Sequence, residues 1–217
     1  MEMIKEIKFF TQKKNVKKAI ILLHGYGANC HDLAPLSSYL DPLGEYSFYF
    51  PNGPLSPAMM GGFGACWFDI RFSEYLNISV EQKVECFASL SPKDFESSLD
   101  KLVNSFESIF KNYDEVILGG FSQGSMMALH LASRMKMIGK IKKVVLLSSA
   151  LLSKQSLNPI EIPVFQSHGK MDPVLDYEAA KYLKEYLIDQ KTPISFHSFS
   201  GGHEIPMEIL TKVQSFL

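Results

Sequence analysis

A chain of 217 residues that is 46% hydrophobic and 21% charged carries enough apolar material for a sizeable core, which excludes a disordered polar polymer. Its 22 Lys plus Arg stand against 23 Asp plus Glu, a formal net charge of -1, so it lacks the basic footprint of a nucleic-acid binder. Three cysteines, Cys30, Cys66 and Cys86, have no paired spacing and fit neither a disulfide framework nor a four-ligand zinc site.

The start Met1-Glu2-Met3-Ile4-Lys5-Glu6 mixes charges where a secretory signal would be apolar. No apolar run approaches the roughly 18 residues of a membrane span. The expectation is a cytoplasmic protein in a reducing compartment. With no repeat, low-complexity tract or Ser/Gly/Pro-rich linker, residues 1–217 read as a single domain.

In chain order, the apolar run 19–23 reads as a buried strand, followed by the loop His24-Gly25-Tyr26-Gly27-Ala28-Asn29. Residues 51–90 resist assignment: Pro51, Pro54 and Pro57 join Gly53, Gly61, Gly62 and Gly64 around Met59, Met60, Phe63, Cys66, Trp67 and Phe68. A long irregular stretch rich in aromatic groups points to a functional loop or lid. The expectation is that 55–72 forms a flap over the site, with Met59, Met60, Phe63, Trp67 and Phe68 touching substrate. The alternative is that these side chains complete the core. Ser91-Pro92-Lys93-Asp94 predicts a helix start, and Phe95, Leu99, Leu102, Phe106 and Ile109 follow at spacings of three and four. A strand at 115–118, a helix from Ser122, strands at 143–147 and 162–165, a helix after Asp176, a strand at 194–199 and a last helix after Gly202 complete the pattern. Continuous apolar runs alternating with helices predict an α/β fold whose sheet is mostly parallel and covered on both faces.

Gly120-Phe121-Ser122-Gln123-Gly124 matches G-x-S-x-G, and it lies between a strand and a helix, where a nucleophile elbow of an α/β-hydrolase belongs. A serine hydroxyl needs a base, and the base an orienting acid. In the order serine, acid, histidine, His203 in the loop Ser200-Gly201-Gly202-His203-Glu204 is the candidate base. His130 and His197 fall inside a helix and a strand, and His24, His31 and His168 come too early for this order. Asp172, at a strand end in His168-Gly169-Lys170-Met171-Asp172-Pro173, is the candidate acid, and Asp176 reads as a helix N-cap. The backbone N–H groups of Tyr26 and Gln123 are the candidate oxyanion donors. His24 reads otherwise as a structural hydrogen-bonder in its loop. The histidine spacings match no metal motif, so no metal is expected, and no phosphate-binding Gly-Lys loop is present.

The blocks His24-Gly25-Tyr26-Gly27-Ala28-Asn29, Pro51-Asn52-Gly53-Pro54, Trp67-Phe68-Asp69, Gly120-Phe121-Ser122-Gln123-Gly124, His168-Gly169-Lys170-Met171-Asp172-Pro173-Val174 and Gly201-Gly202-His203-Glu204 resemble the phospholipase/carboxylesterase family over nearly the whole chain. The family includes acyl-protein thioesterases and small bacterial carboxylesterases. The resemblance implies a triad of Ser122, Asp172 and His203, with Tyr26 and Gln123 lending backbone donors. Tyr26 stands where many members have leucine. It also implies hydrolysis of carboxylic esters, and in some members thioesters or lysophospholipids, without a cofactor. Expected partners are a small-molecule or lipid ester or an acylated protein, with peripheral membrane contact and a homodimer left open. A non-catalytic acyl-chain or protein-binding module and a serine peptidase are the competing readings.

Overall fold

A computed structural model describes residues 7–57, 61–70, 78–135 and 139–217. Seven strands build the sheet: β1 (Phe9–Gln12), β2 (Lys18–Leu23), β3 (Tyr46–Pro51), β4 (Glu115–Phe121), β5 (Ile141–Leu147), β6 (Val164–Gly169) and β7 (Ile194–Phe199). The helices are α1 (Ser37–Leu40), α2 (Val80–Ser89), α3 (Phe95–Phe110), α4 (Gln123–Met135), α5 (Tyr177–Asp189) and α6 (Met207–Phe216). The sheet order is β1-β3-β2-β4-β5-β6-β7. β1 is antiparallel to β3, and the other neighbours are parallel.

The continuous apolar runs follow from burial on both sides of the sheet. Along β2, Ala19, Ile21 and Leu23 join one core cluster with α3 and α4, while Ile20 and Leu22 join a second with residues of α1 and α6. Helix α3 buries Phe95, Leu99, Leu102 and Phe106 completely. Each such side chain contributes about 1.5–3 kcal/mol when removed from water. Among the described residues no helix is long and apolar enough to cross a membrane.

Strand β1 and helix α1 lie where the sequence reading places no element, and three further features depart from it. Helix α3 begins at Phe95, because Pro92 to Asp94 form a turn closed by the Phe95 N–H on the Pro92 carbonyl (3.0 Å). Strand β3 is wholly buried, yet Ser47 interrupts its apolar run and hides it from a search for continuous hydrophobicity. Within 51–90, α2 is a regular helix fixed by a capping box between Ser79 and Gln82. That Ser-x-x-Gln signal stands in the sequence. Helix α2 buries Ala88 fully and packs Val84 and Phe87 against the core.

β2 lies between β3 and β4, so the chain departs to opposite sides of it. Such a switch point opens a crevice at the carboxyl ends of the strands. The turns after β2, β4, β6 and β7 carry the candidate residues to this end.

Candidate active site

The elbow follows from a steric conflict that the sequence resolves with glycine. Register pairs Leu23 with Gly120, so the turns after β2 and β4 emerge side by side. A Cβ on Gly124 would overlap the carbonyl oxygen of Leu23, and one on Gly120 would press on the Gly124 backbone. Between them Ser122 adopts φ +52°, a left-handed conformation that serine rarely takes. The strain is held by its N–H on the Leu147 carbonyl (2.8 Å) and by the Ser125 N–H on its own carbonyl (3.0 Å). The first turn of α4 starts at Gln123, where backbone N–H groups lack intrahelical acceptors and favour a developing negative charge.

Asp172 and His203, the candidate acid and base, meet because the turns after β6 and β7 interlock. Lys170 N–H donates to the Phe199 carbonyl (2.9 Å) and Met171 N–H to the Gly201 carbonyl (2.9 Å). His203 Nδ1 then lies 2.7 Å from Asp172 Oδ2, and the carboxylate is fully buried. Asp172 Oδ1 accepts the N–H groups of Val174 (2.8 Å) and Leu175 (2.9 Å). Burial pushes this carboxyl up, but the bonds from His168, His203, Leu175 and Val174 outweigh it and hold Asp172 well below the usual carboxylate range. Asp172 is therefore an anion at neutral pH. With Nδ1 turned to Asp172, the Nε2 side of His203 is left for the cavity it shares with Ser122. That cavity is about 300 Å³ and includes Tyr26, Gln123 and Ile70 in its lining.

The phospholipase/carboxylesterase family model matches residues 6–217. The chain belongs to that family. Acyl-protein thioesterase 1 of Debaryomyces hansenii is 29% identical over an alignment that takes in 100% of this chain and 97% of that protein. The Saccharomyces cerevisiae protein of the same name is 32% identical, over 80% of this chain and 78% of its own. In fold, the structure matches esterase PE8 with a TM-score of 0.80 at 23% identity, covering 98% of both chains. It matches acyl-protein thioesterase 2 of Zea mays with a TM-score of 0.73 at 23% identity, covering 96% of both. As a member of the phospholipase/carboxylesterase family the protein is a hydrolase of the carboxylesterase and thioesterase type.

Against this family's expected site, the residues named from sequence divide into two groups. Ser122, His203, Tyr26 and Gln123 border one cavity, and Asp172 is bonded to His203 behind it. Asp176 is the N-cap of α5 and makes no side-chain cap bond. Met59 and Met60 lie outside the described residues. Phe63 is 80% exposed. Trp67 and Phe68 are a correction to the expected substrate wall: both are completely buried in the core. Trp67 Nε1 donates to the His24 carbonyl (2.9 Å), and Phe68 packs edge-on against Phe95. Their indole and phenyl rings are drawn inward by the large apolar area they bury. The 51–90 stretch reaches the cavity with Ile70 and Phe87 instead, joined there by Met126, Val174 and Leu175.

The order serine, acid, histidine leaves His168 out, yet this residue lies behind Asp172. Its ring is completely buried, with Nε2 3.3 Å from Asp172 Oδ2 and 2.8 Å from the Leu175 carbonyl. The spacing His168-x-x-x-Asp172 across a strand end is the signal the sequence offers for it. Gln123 also anchors the neighbouring segment, since its Oε1 accepts the Trp67 N–H (2.9 Å) and its Nε2 donates to the Phe68 carbonyl (2.6 Å). His24 is a structural hub, in line with the second reading of its loop. Nε2 accepts the Gly53 N–H (2.9 Å), so Nδ1 carries the proton and donates to the Gly25 carbonyl (2.7 Å). His130 bonds the Leu152 carbonyl (2.8 Å), and burial pushes it down to about 4. His197 sits on Ser195 Oγ (2.8 Å). Among the described residues no group of three His, Cys, Asp or Glu side chains is placed to hold a metal ion.

Proposed function

We propose that the protein cleaves carboxylic esters and thioesters through an acyl-enzyme on Ser122. His203 removes the Ser122 proton as the oxygen attacks the acyl carbon, and then protonates the departing alkoxide or thiolate. Asp172 holds the imidazole in the tautomer with Nδ1–H and stabilises the cation that forms. The N–H groups of Tyr26 and Gln123 receive the oxyanion. Water, deprotonated by His203, releases the acid and restores Ser122.

One observation carries this reading. Ser122 sits strained at the start of a helix, in the same cavity as an imidazole whose far nitrogen is bonded to a buried anionic carboxylate. The apolar side chains of Ile70, Phe87, Met126, Val174 and Leu175 favour an acyl chain over a charged group in that cavity. The names of the relatives support acylated proteins as substrates, and the family's description supports carboxylic esters beside them.

A fluorophosphonate tests the reading. It should label the wild-type chain once, at Ser122, and abolish ester hydrolysis in step with labelling. Ser122→Ala should keep the wild-type melting temperature, bind no label and lose activity by several orders of magnitude. Labelling of a different residue, or an active Ser122→Ala protein, would refute it.

A further inference from the structure

The side chain of Tyr26 makes a contact that the backbone-donor role leaves unexplained. Its phenol donates to Asp69 Oδ1 at 2.6 Å, a short bond of the charge-assisted kind. The same Oδ1 accepts the N–H of Ile70 at 3.2 Å. Tyr26 and Ile70 both border the cavity that contains Ser122. One oxygen of Asp69 thus joins the loop after β2 to the wall supplied by the 51–90 stretch.

We infer that Tyr26 is a positioning residue: its phenol clamps the oxyanion loop to the cavity wall through Asp69, and so fixes the Tyr26 N–H for the transition state. This rests on the reading of Ser122 as nucleophile. The backbone bonds between the two segments lie further along the loop, from Gly27 N–H to the Ala65 carbonyl (2.9 Å) and from Ala65 N–H to the Ala28 carbonyl (2.7 Å). Tyr26 is one residue nearer the elbow than these, and its phenol extends the tie to the position where the donor is needed. On the other side, a Cβ on Gly25 would crowd the Phe121 ring and touch Ser122, so the loop lies close against the elbow. An oxyanion donor acts only when aimed at the oxygen in its tetrahedral position, so a small rotation of this loop costs rate and leaves ground-state binding nearly unchanged. The clamp also fixes Ile70, which ties the width of the acyl side to the same bond.

The test is a double-mutant cycle in the full chain, read as kcat and KM on p-nitrophenyl acetate and octanoate, with melting temperatures alongside. Tyr26→Phe keeps the ring and removes only the hydroxyl. It should lower kcat about tenfold on both esters, the scale of a lost bond to a charged group, with KM little changed. Asp69→Ala should lower kcat similarly, and the double variant should be no slower than the slower single one. Asp69→Asn keeps an Oδ1 acceptor and should recover most of the rate lost in Asp69→Ala. Wild-type kcat in Tyr26→Phe, losses that multiply in the double variant, or losses confined to KM would each overturn the clamp. Should Asp69→Ala fail to fold, Tyr26→Phe and Asp69→Asn still decide the matter. Fluorophosphonate labelling of the wild type keeps the two readings apart. An unlabelled Ser122 defeats the nucleophile assignment, whereas a labelled Ser122 beside a fully active Tyr26→Phe protein defeats only the clamp.

Discussion

The strand-end turns around Ser122 and the 51–90 stretch contribute to one cavity, but they are held by different means. The elbow is fixed by contacts between backbones: Gly124 admits the end of β2, Gly120 admits the Gly124 backbone, and Ser122 is bonded through its own main chain. The turns carrying Asp172 and His203 are likewise laced by main-chain bonds. The 51–90 stretch also has main-chain bonds, between Ala65 and the Gly27–Ala28 turn and between Leu55 and Cys66. It leans in addition on side chains reaching in from elsewhere, Gln123 onto Trp67 and Phe68 and His24 onto Gly53, and on the burial of two large rings. A turn locked by its own backbone leaves a local imprint in sequence. A wall anchored by a residue 56 positions away does not.

Breaking the backbone-built part should cost chemistry. Asp172→Asn should lower kcat by about 10⁴-fold, as the imidazole loses its tautomer and its counter-charge. It should also lower the melting temperature, since the fold favours the ionised carboxylate. Asp176→Asn should leave the rate near wild type, since its carboxylate makes no cap bond and does not touch His203. Steady-state kinetics on one short ester separates the two, and a greater loss in Asp176→Asn would reassign the acid.

Breaking the side-chain-built part should cost stability first. Trp67→Ala should destabilise the fold by about 3–5 kcal/mol while the preference among acyl chain lengths stays as it was. Phe87→Ala, on the cavity wall and only partly buried, should do the reverse, shifting that preference with a smaller change in melting temperature. Thermal melts beside a series of acyl chain lengths provide the check. A chain-length effect in Trp67→Ala would place the indole at the substrate after all.

Which residues are legible in the sequence follows from the same contrast. Glycines beside a serine, an aspartate at a strand end and a histidine in a Gly-Gly loop are local patterns, and each marks a backbone constraint. The inward turn of Trp67 and Phe68 is decided by Gln123 and Phe95, which no window around residue 67 contains. Ile70 and Phe87 escape a sequence reading for that reason, and α2 escapes it because its apolar face is short although its capping box is plain. The strand pattern reads well where both faces are apolar and fails in β3, where a buried serine bonds to Lys14.

Smaller effects sharpen the picture. His168→Asn should lower kcat only a fewfold, because the His168 ring, bonded to the Leu175 carbonyl, lies 3.3 Å from Asp172, which keeps its bonds from Val174, Leu175 and His203. Unchanged kinetics would make His168 a packing residue alone. His130 gives a pH signature in stability and none in chemistry. Its folded value, about 4, lies below the ordinary imidazole value near 6.5, so the unfolded chain binds the extra proton between them. Its contribution is complete above about pH 6.5 and is lost as pH falls towards about 4. Chemical denaturation at several pH values should show that loss, and His130→Gln should flatten it.

A nucleophilic Ser122 must become acylated during turnover. The direct measurement is an acid quench early in the hydrolysis of p-nitrophenyl butyrate, followed by intact-mass and peptide analysis. The quenched chain should be heavier by one butyryl group, carried on the peptide containing Ser122 and absent from Ser122→Ala. Butyryl on another residue, or full turnover with no acylated chain under conditions that slow deacylation, would contradict it.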